Sequence, residues 1–148
     1  MAEWQIRITV PHYSFCSFMP IQIMHIGEER MNIDILKSAD IDYDSGLERF
    51  SGLDAVFQKF LRMFPEDPSY NSTIEAINNG DYDSAFTYAH TLKGTAGNLS
   101  LSELYRVTSL LVEDLRIKKT DNLTARLAAV TESYKKTTDA IKKASADE

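Results

Sequence analysis

The side chains best suited to nucleophilic or metal chemistry are three histidines, His12, His25 and His90, and one cysteine, Cys16. Only His90 stands in a patterned setting. Ala85, Ala89, Leu92, Ala96 and Leu99 recur at 4-3-4-3 spacing, the mark of one buried helix face. Each residue turns a helix by about 100°, so His90 falls on the flank of that seam rather than in it. Lys93, Gly94 and Gly97 follow it at three, four and seven residues, and Phe86 precedes it by one turn. Glycine inside a helix costs on the order of 1 kcal/mol relative to alanine, and two of the chain's six glycines stand here. Bare backbone beyond a histidine leaves the imidazole open to a bulky partner, and a lysine one turn away can meet an anion carried on the ring. Imidazole is substantially neutral at pH 7 and can act as a nucleophile. The pattern fits a covalent phosphoryl carrier. An incidental surface histidine, with glycines that serve close helix packing, fits the same spacing.

The bulk properties narrow the surroundings of this histidine. The chain has 148 residues, 43% apolar and 26% charged, as expected of a single globular domain with a continuous core. Its 22 acidic and 16 basic residues give a net charge of −6, which argues against a nucleic-acid partner, since phosphate contacts need a basic face. One cysteine excludes an intramolecular disulfide and a cysteine-based zinc site, and three histidines are too few for a His-rich metal cluster. No glycine-rich phosphate loop, Walker pattern or Mg²⁺-type carboxylate cluster is evident in the sequence. The length excludes most enzymes that fold around a nucleotide and a substrate together.

Residues 1–30 differ from the remainder. They hold 15 apolar residues and 5 charged ones, against 33 charged in the following 118. Trp4, Ile6, Ile8 and Val10 alternate with polar residues, a strand pattern that Pro11 ends. The run from Phe15 to Ile26 is too short to span a bilayer, is interrupted by Pro20, and lacks the basic flank and cleavage site of a signal peptide. Either this stretch is an extension that docks its aromatic side chains on the domain or on a partner, or Met31 is the natural start. The composition shift at Met31 favours the second. Residues 1–38 are therefore set apart as an N-terminal extension, and 39–148 as the working domain.

From residue 39 the period is helical, and after Pro65 and Pro68 no further proline occurs. Ser45 and Glu48 form a capping-box pattern before a stripe of Phe50, Leu53, Phe57, Phe60 and Phe64, which Gly52 bends or breaks. A shorter helix is predicted from Ser69 to Ile77, ended by Asn78, Asn79 and Gly80, and Asp81 or Asp83 caps the helix of His90. Ser100 and Glu103 repeat the capping-box pattern ahead of Leu104, Val107, Leu111 and Leu115. Asp121 opens a last helix with Leu123, Leu127, Val130, Tyr134, Thr137 and Ile141 on one face. Short connections imply antiparallel neighbours. The expected fold is all-α, an antiparallel four-helix bundle with one or two short additional N-terminal helices and no strand after residue 30.

The string AHTLKGTAGNL at 89–99 closely resembles the phosphorylation-site motif of histidine-containing phosphotransfer (HPt) domains, His-x-Leu-Lys-Gly followed by small residues. SGLERFSG at 45–52, NGDYDSAFTYAH at 79–90 and the leucine-rich stretch after Ser100 extend the resemblance over roughly residues 39–145. It implies that His90 is the phosphoryl acceptor and donor, that Lys93 stabilises the phosphoryl charge and that Gly94 keeps the site open to the partner. Two positions depart from the family. Ser100 stands where a glycine is frequent, and it is read here as an N-cap that preserves the helix break. Val112 stands where a polar residue is common, with Glu113 turned about 100° away.

The resemblance further implies reversible transfer between His90 and an aspartate of a response-regulator receiver domain, with a sensor or hybrid histidine kinase upstream. This chain would bind no cofactor, and Mg²⁺ would sit on the receiver. The docking face is expected to include Leu53 and Val56 on the exposed side of the first helices, with Gly97 on the stripe of His90 beside them. The protein is expected to be a cytoplasmic monomer, a carrier rather than a kinase, with no nucleic-acid or membrane partner. A helical adaptor that binds receivers without being phosphorylated is the alternative, and the domain could also belong to a larger kinase.

Overall fold

The structure, a computed structural model, describes residues 30–146. The strand pattern at Trp4–Val10 and the rest of the apolar N-terminal stretch lie outside the described residues. Seven α-helices follow in order: α1 (Ile33–Ser38), α2 (Tyr43–Arg49), α3 (Asp54–Met63), α4 (Ser69–Asn78), α5 (Tyr82–Asn98), α6 (Ser102–Arg116) and α7 (Leu123–Ala146), with a 3₁₀ turn at Phe64–Glu66. Helices α4 to α7 form the bundle, and among the described residues there is no strand, only a single antiparallel bridge between Ile41 and Leu101.

The seam read along α5 is the centre of the core. Ala85, Ala89, Leu92 and Ala96 are fully buried, and Leu104, Leu111 and Val112 face them from α6. The small side chains let neighbouring helices approach closely while leucines fill the gaps. Helix α4 ends as expected: Gly80 adopts φ +71°, and Gly80 and Asp81 donate their N–H groups back to Ile77 and Ala76. Asp81 then caps α5, its carboxylate accepting the Ser84 N–H at 3.0 Å.

Both capping boxes fail, each for its own reason. At α2, Asp42 takes the capping role and accepts the Ser45 N–H at 3.1 Å, so Ser45 sits one turn inside the helix. At the α5–α6 turn, Ser100 is the left-handed residue, with φ +54°, that closes the end of α5. The N–H groups of Ser100 and Leu101 bond back to Gly97 and Ala96, and the N-cap position of α6 falls on Leu101 without a side-chain bond. The α1–α2 loop supplies the replacement: the Ser102 N–H donates to the Asp40 carbonyl at 3.0 Å, and the Asp42 N–H to the Ser100 carbonyl at 2.9 Å. Glu103 instead holds Arg106 through two bonds of 2.8 and 2.7 Å, which keeps its carboxyl below the usual glutamate range.

The phenylalanine stripe is cut by Ser51 and Gly52, both at positive φ, and α3 restarts at Asp54. The restart turns Phe57, Leu61 and Phe64 inward but leaves Leu53 58% and Phe60 46% exposed. Gly46 of α2 lies directly under the Phe57 ring, in space a Cβ would occupy. The last helix starts two residues later than Asp121.

The packed body also begins ahead of residue 39. Leu36 of α1 is fully buried, α1 lies against α7, and the Asn32 N–H donates to the Ala144 carbonyl at 2.9 Å. A polar cluster fixes this end: the buried Gln58 side chain accepts the Met31 N–H at 3.0 Å and donates to Tyr43 Oη and Asp54 Oδ2 at 2.9 Å each. Tyr43 in turn donates to Asp54. Burial, then the Asp54 carboxylate, push the Tyr43 phenol up to about 12.

Candidate functional site

His90 projects from the solvent side of α5, exposed, one step round the helix from the buried Ala89. Phe86, one turn earlier, holds its ring 5.9 Å from the imidazole, centroid to centroid. One turn later comes Gly94, where an added Cβ would meet nothing within 4 Å among the described residues. The backbone one turn beyond His90 is therefore open among the described residues.

The two glycines separate in role. A Cβ at Gly97 would come within 3.2 Å of the Tyr105 ring, so Gly97 is bare to admit an aromatic from α6. That ring lies under Lys93, whose Nζ stands 5.8 Å from its centroid. Among the described residues no carboxylate pairs with Lys93, so its ammonium keeps its capacity for an anion. Gly97 thus seats Tyr105, Tyr105 steadies Lys93, and Lys93 stands one turn from His90.

A groove runs beside these residues. His90, Lys93, Gly94, Gly97 and Tyr105 line it, and Asp42, Ser45 and Arg49 of the first helices form its other wall. Among the described residues no three His, Cys, Asp or Glu side chains converge as they would around a metal ion. Arg49 and Asn98 also line a second, more apolar groove bounded by Phe50, Phe60, Met63 and Leu99. The expected docking residues Leu53 and Val56 do not line the His90 groove. They lie on the exposed face of α3, which continues into the second groove through Phe60 and Met63.

The doubtful position on α6 is resolved by burial. Val112 is fully enclosed in the core, and Glu113 pairs with Arg116 at 3.1 Å, so neither reaches the His90 groove. Sequence reasoning missed Tyr105, Arg49 and Asp42. Tyr105 follows Leu104 by one step and reads as an ordinary solvent-facing residue. Arg49 and Asp42 are brought across by the α1–α2 loop, whose backbone bonds tie it to Ser100 and Ser102.

The described body is thus an all-helical bundle that presents His90, exposed, from its second helix, with open backbone beside it. The family model described as Hpt domain matches residues 55–144, from α3 to near the end of α7, and the chain belongs to this family. Hpt domains are phosphotransfer modules of phosphorelays and work with receiver domains and histidine kinases. Comparisons with curated proteins and with solved structures gave no match. Among the described residues no helix is long and apolar enough to cross a membrane.

Proposed function

We propose that His90 carries the phosphoryl group, receiving it from or passing it to an aspartate of a response-regulator receiver domain. The observation that carries this reading is the setting of one side chain: an exposed imidazole with open space over Gly94 and a lysine steadied one turn away. In the forward step the unprotonated imidazole nitrogen attacks phosphorus in line. The N–P bond forms as the acyl-phosphate P–O bond breaks, and the aspartate leaves as carboxylate. Such transfer depends on alignment and charge stabilisation. Lys93 supplies the cation on this side, and the receiver would bring Mg²⁺ and the aspartate that releases the phosphoryl group or, in the reverse step, accepts it.

Gly94 leaves room for the receiver's surface to approach the ring, and Gly97 serves that face by seating the Tyr105 ring. Leu53 and Val56 form the apolar part of the docking face, and their exposure supports that role. In this reading the chain is a cytoplasmic monomeric carrier placed between a sensor or hybrid kinase and a receiver, and it binds no cofactor of its own. Exposure to a phosphorylated receiver is expected to label the native chain and to leave a folded His90→Gln protein unlabelled. Equal labelling of the two would overturn the assignment, and tight receiver binding without any label would favour the adaptor alternative.

A further inference from the structure

Two grooves meet at Arg49, in the last turn of α2. The His90 groove and the apolar groove of Phe50, Phe60, Met63 and Leu99 share Arg49 and Asn98 in their walls. The backbone under Arg49 is anchored. Gly46 packs beneath the Phe57 ring, and the Phe50 ring lies 5.2 Å from Phe57 and 5.4 Å from Phe60, centroid to centroid. The turn that follows closes α2, with the N–H groups of Ser51 and Gly52 donating to the carbonyls of Glu48 and Leu47 at 2.9 Å each. From this base the Arg49 side chain is exposed, and among the described residues no carboxylate pairs with it.

The acids nearby have other tasks or stand elsewhere. Asp42 lines the same wall but accepts the Ser45 N–H as the cap of α2. Glu66 and Asp67 line only the apolar groove, and Asp67 accepts the Ser69 N–H at 2.8 Å. The His90 groove therefore sets Lys93 and Arg49 against Asp42, a positive surplus, whereas the apolar groove sets Arg49 against Glu66 and Asp67, a negative one. A partner that fits this surface is acidic beside its reacting group.

Apolar contact has no direction of its own. A partner seated only on Leu53, Val56, Phe60 and Met63, the exposed apolar residues of α3 and its start, could turn about that contact. In-line transfer tolerates little misalignment. One charge-assisted bond to the side of the apolar patch removes the freedom to turn, and the guanidinium fork holds a carboxylate through two donors at once.

We infer that Arg49 is a positioning residue, which binds a carboxylate on the receiver's surface and turns the receiver so that its aspartate faces His90. The inference rests on the proposed function, whose docking face it completes. Arg49 acts on alignment and does not touch the phosphoryl group.

The test compares the native full chain with Arg49→Gln and Arg49→Lys, measuring receiver binding and phosphoryl transfer at low and moderate salt. Arg49→Gln is expected to lower the transfer rate at saturating receiver about tenfold and to weaken binding only about threefold. It is also expected to flatten the salt dependence of association, with thermal unfolding unchanged. Arg49→Lys is expected to recover the salt dependence but only part of the rate, because a point charge restores attraction without the fork. Equal rates and salt dependence in the native and Arg49→Gln proteins overturn the inference. So does a lowered unfolding midpoint in Arg49→Gln that accounts for the lost rate, which makes the role structural. A shorter phosphohistidine lifetime in isolated, labelled Arg49→Gln overturns it by placing Arg49 on the phosphoryl group. Salt-dependent receiver binding that Arg49→Gln removes, in a chain that takes no label on His90, upholds the contact and defeats the phosphorelay reading instead.

Discussion

Around His90 each neighbour has a separable task, and the separation predicts distinct mutant behaviour. In the proposed relay Lys93 would stabilise the phosphoryl charge without carrying the group, so Lys93→Ala is expected to shorten the lifetime of the phosphohistidine several-fold while still permitting its formation. An acid-lability time course on the isolated labelled protein measures this, and an unchanged lifetime would remove Lys93 from the site. Gly94→Ala tests openness against stability. A Cβ there meets nothing within 4 Å among the described residues, so the helix should gain up to about 1 kcal/mol. Thermal unfolding should show that gain, whereas transfer from the receiver should slow about tenfold because the methyl group meets the partner. Gly97→Ala is expected to act differently, displacing the Tyr105 ring and with it Lys93, with a loss in both measurements. His90, Lys93 and Gly94 were legible in the sequence because helical spacing alone brings them together. Tyr105 was not, since it comes from another helix and its value lies in a contact with a glycine's missing side chain.

At the scale of elements, the turns rather than the helices held the surprises. The buried faces of α5, α6 and α7 follow periods of alanine, leucine and valine that a one-dimensional reading recovers. Capping is harder, because a Ser-x-x-Glu string marks a helix start only if the chain is not already helical or left-handed there. Ser45 fails the first condition and Ser100 the second. Helix α1 holds too few residues to display a period and is fixed by burial of Leu36 and by the bond from its N-cap Asn32 to α7. Ser100 carries a testable consequence: it sits at φ +54°, and its buried Oγ finds no partner among the described residues. Ser100→Gly is expected to raise stability by about 1 kcal/mol, measured as a higher denaturation midpoint at unchanged slope. The Tyr43 cluster joins α2, α3 and the Met31 segment. Tyr43→Phe should cost about 1–3 kcal/mol, because Asp54 loses a donor and Gln58 an acceptor. The same cluster gives a pH dependence. A phenol raised to about 12 in the fold, from 10.0, favours the protonated form in the folded state. Its contribution is therefore complete below pH 10 and is lost as pH rises from 10 towards 12. Alkaline denaturation of Tyr43→Phe should lack this component.

Taken whole, the molecule divides labour between a stable bundle and one face. The body from α4 to α7 holds the histidine, and the first helices build the opposite wall of its groove and an apolar surface beside it. Val56→Glu tests the docking face at this scale. Receiver affinity and transfer rate are expected to fall about tenfold or more, with no change in thermal stability or in the lifetime of the phosphohistidine on its own. Equal transfer rates in the two proteins would move the docking face elsewhere. The central claim concerns a single bond, between phosphorus and the imidazole of residue 90. Its most direct test is to load the native full chain from a phosphorylated receiver and locate the acid-labile phosphoryl group by fragmentation mass spectrometry. The expected result is phosphate on His90, absent from the folded His90→Gln protein. Phosphate on another residue, or label that survives that substitution, would contradict the account.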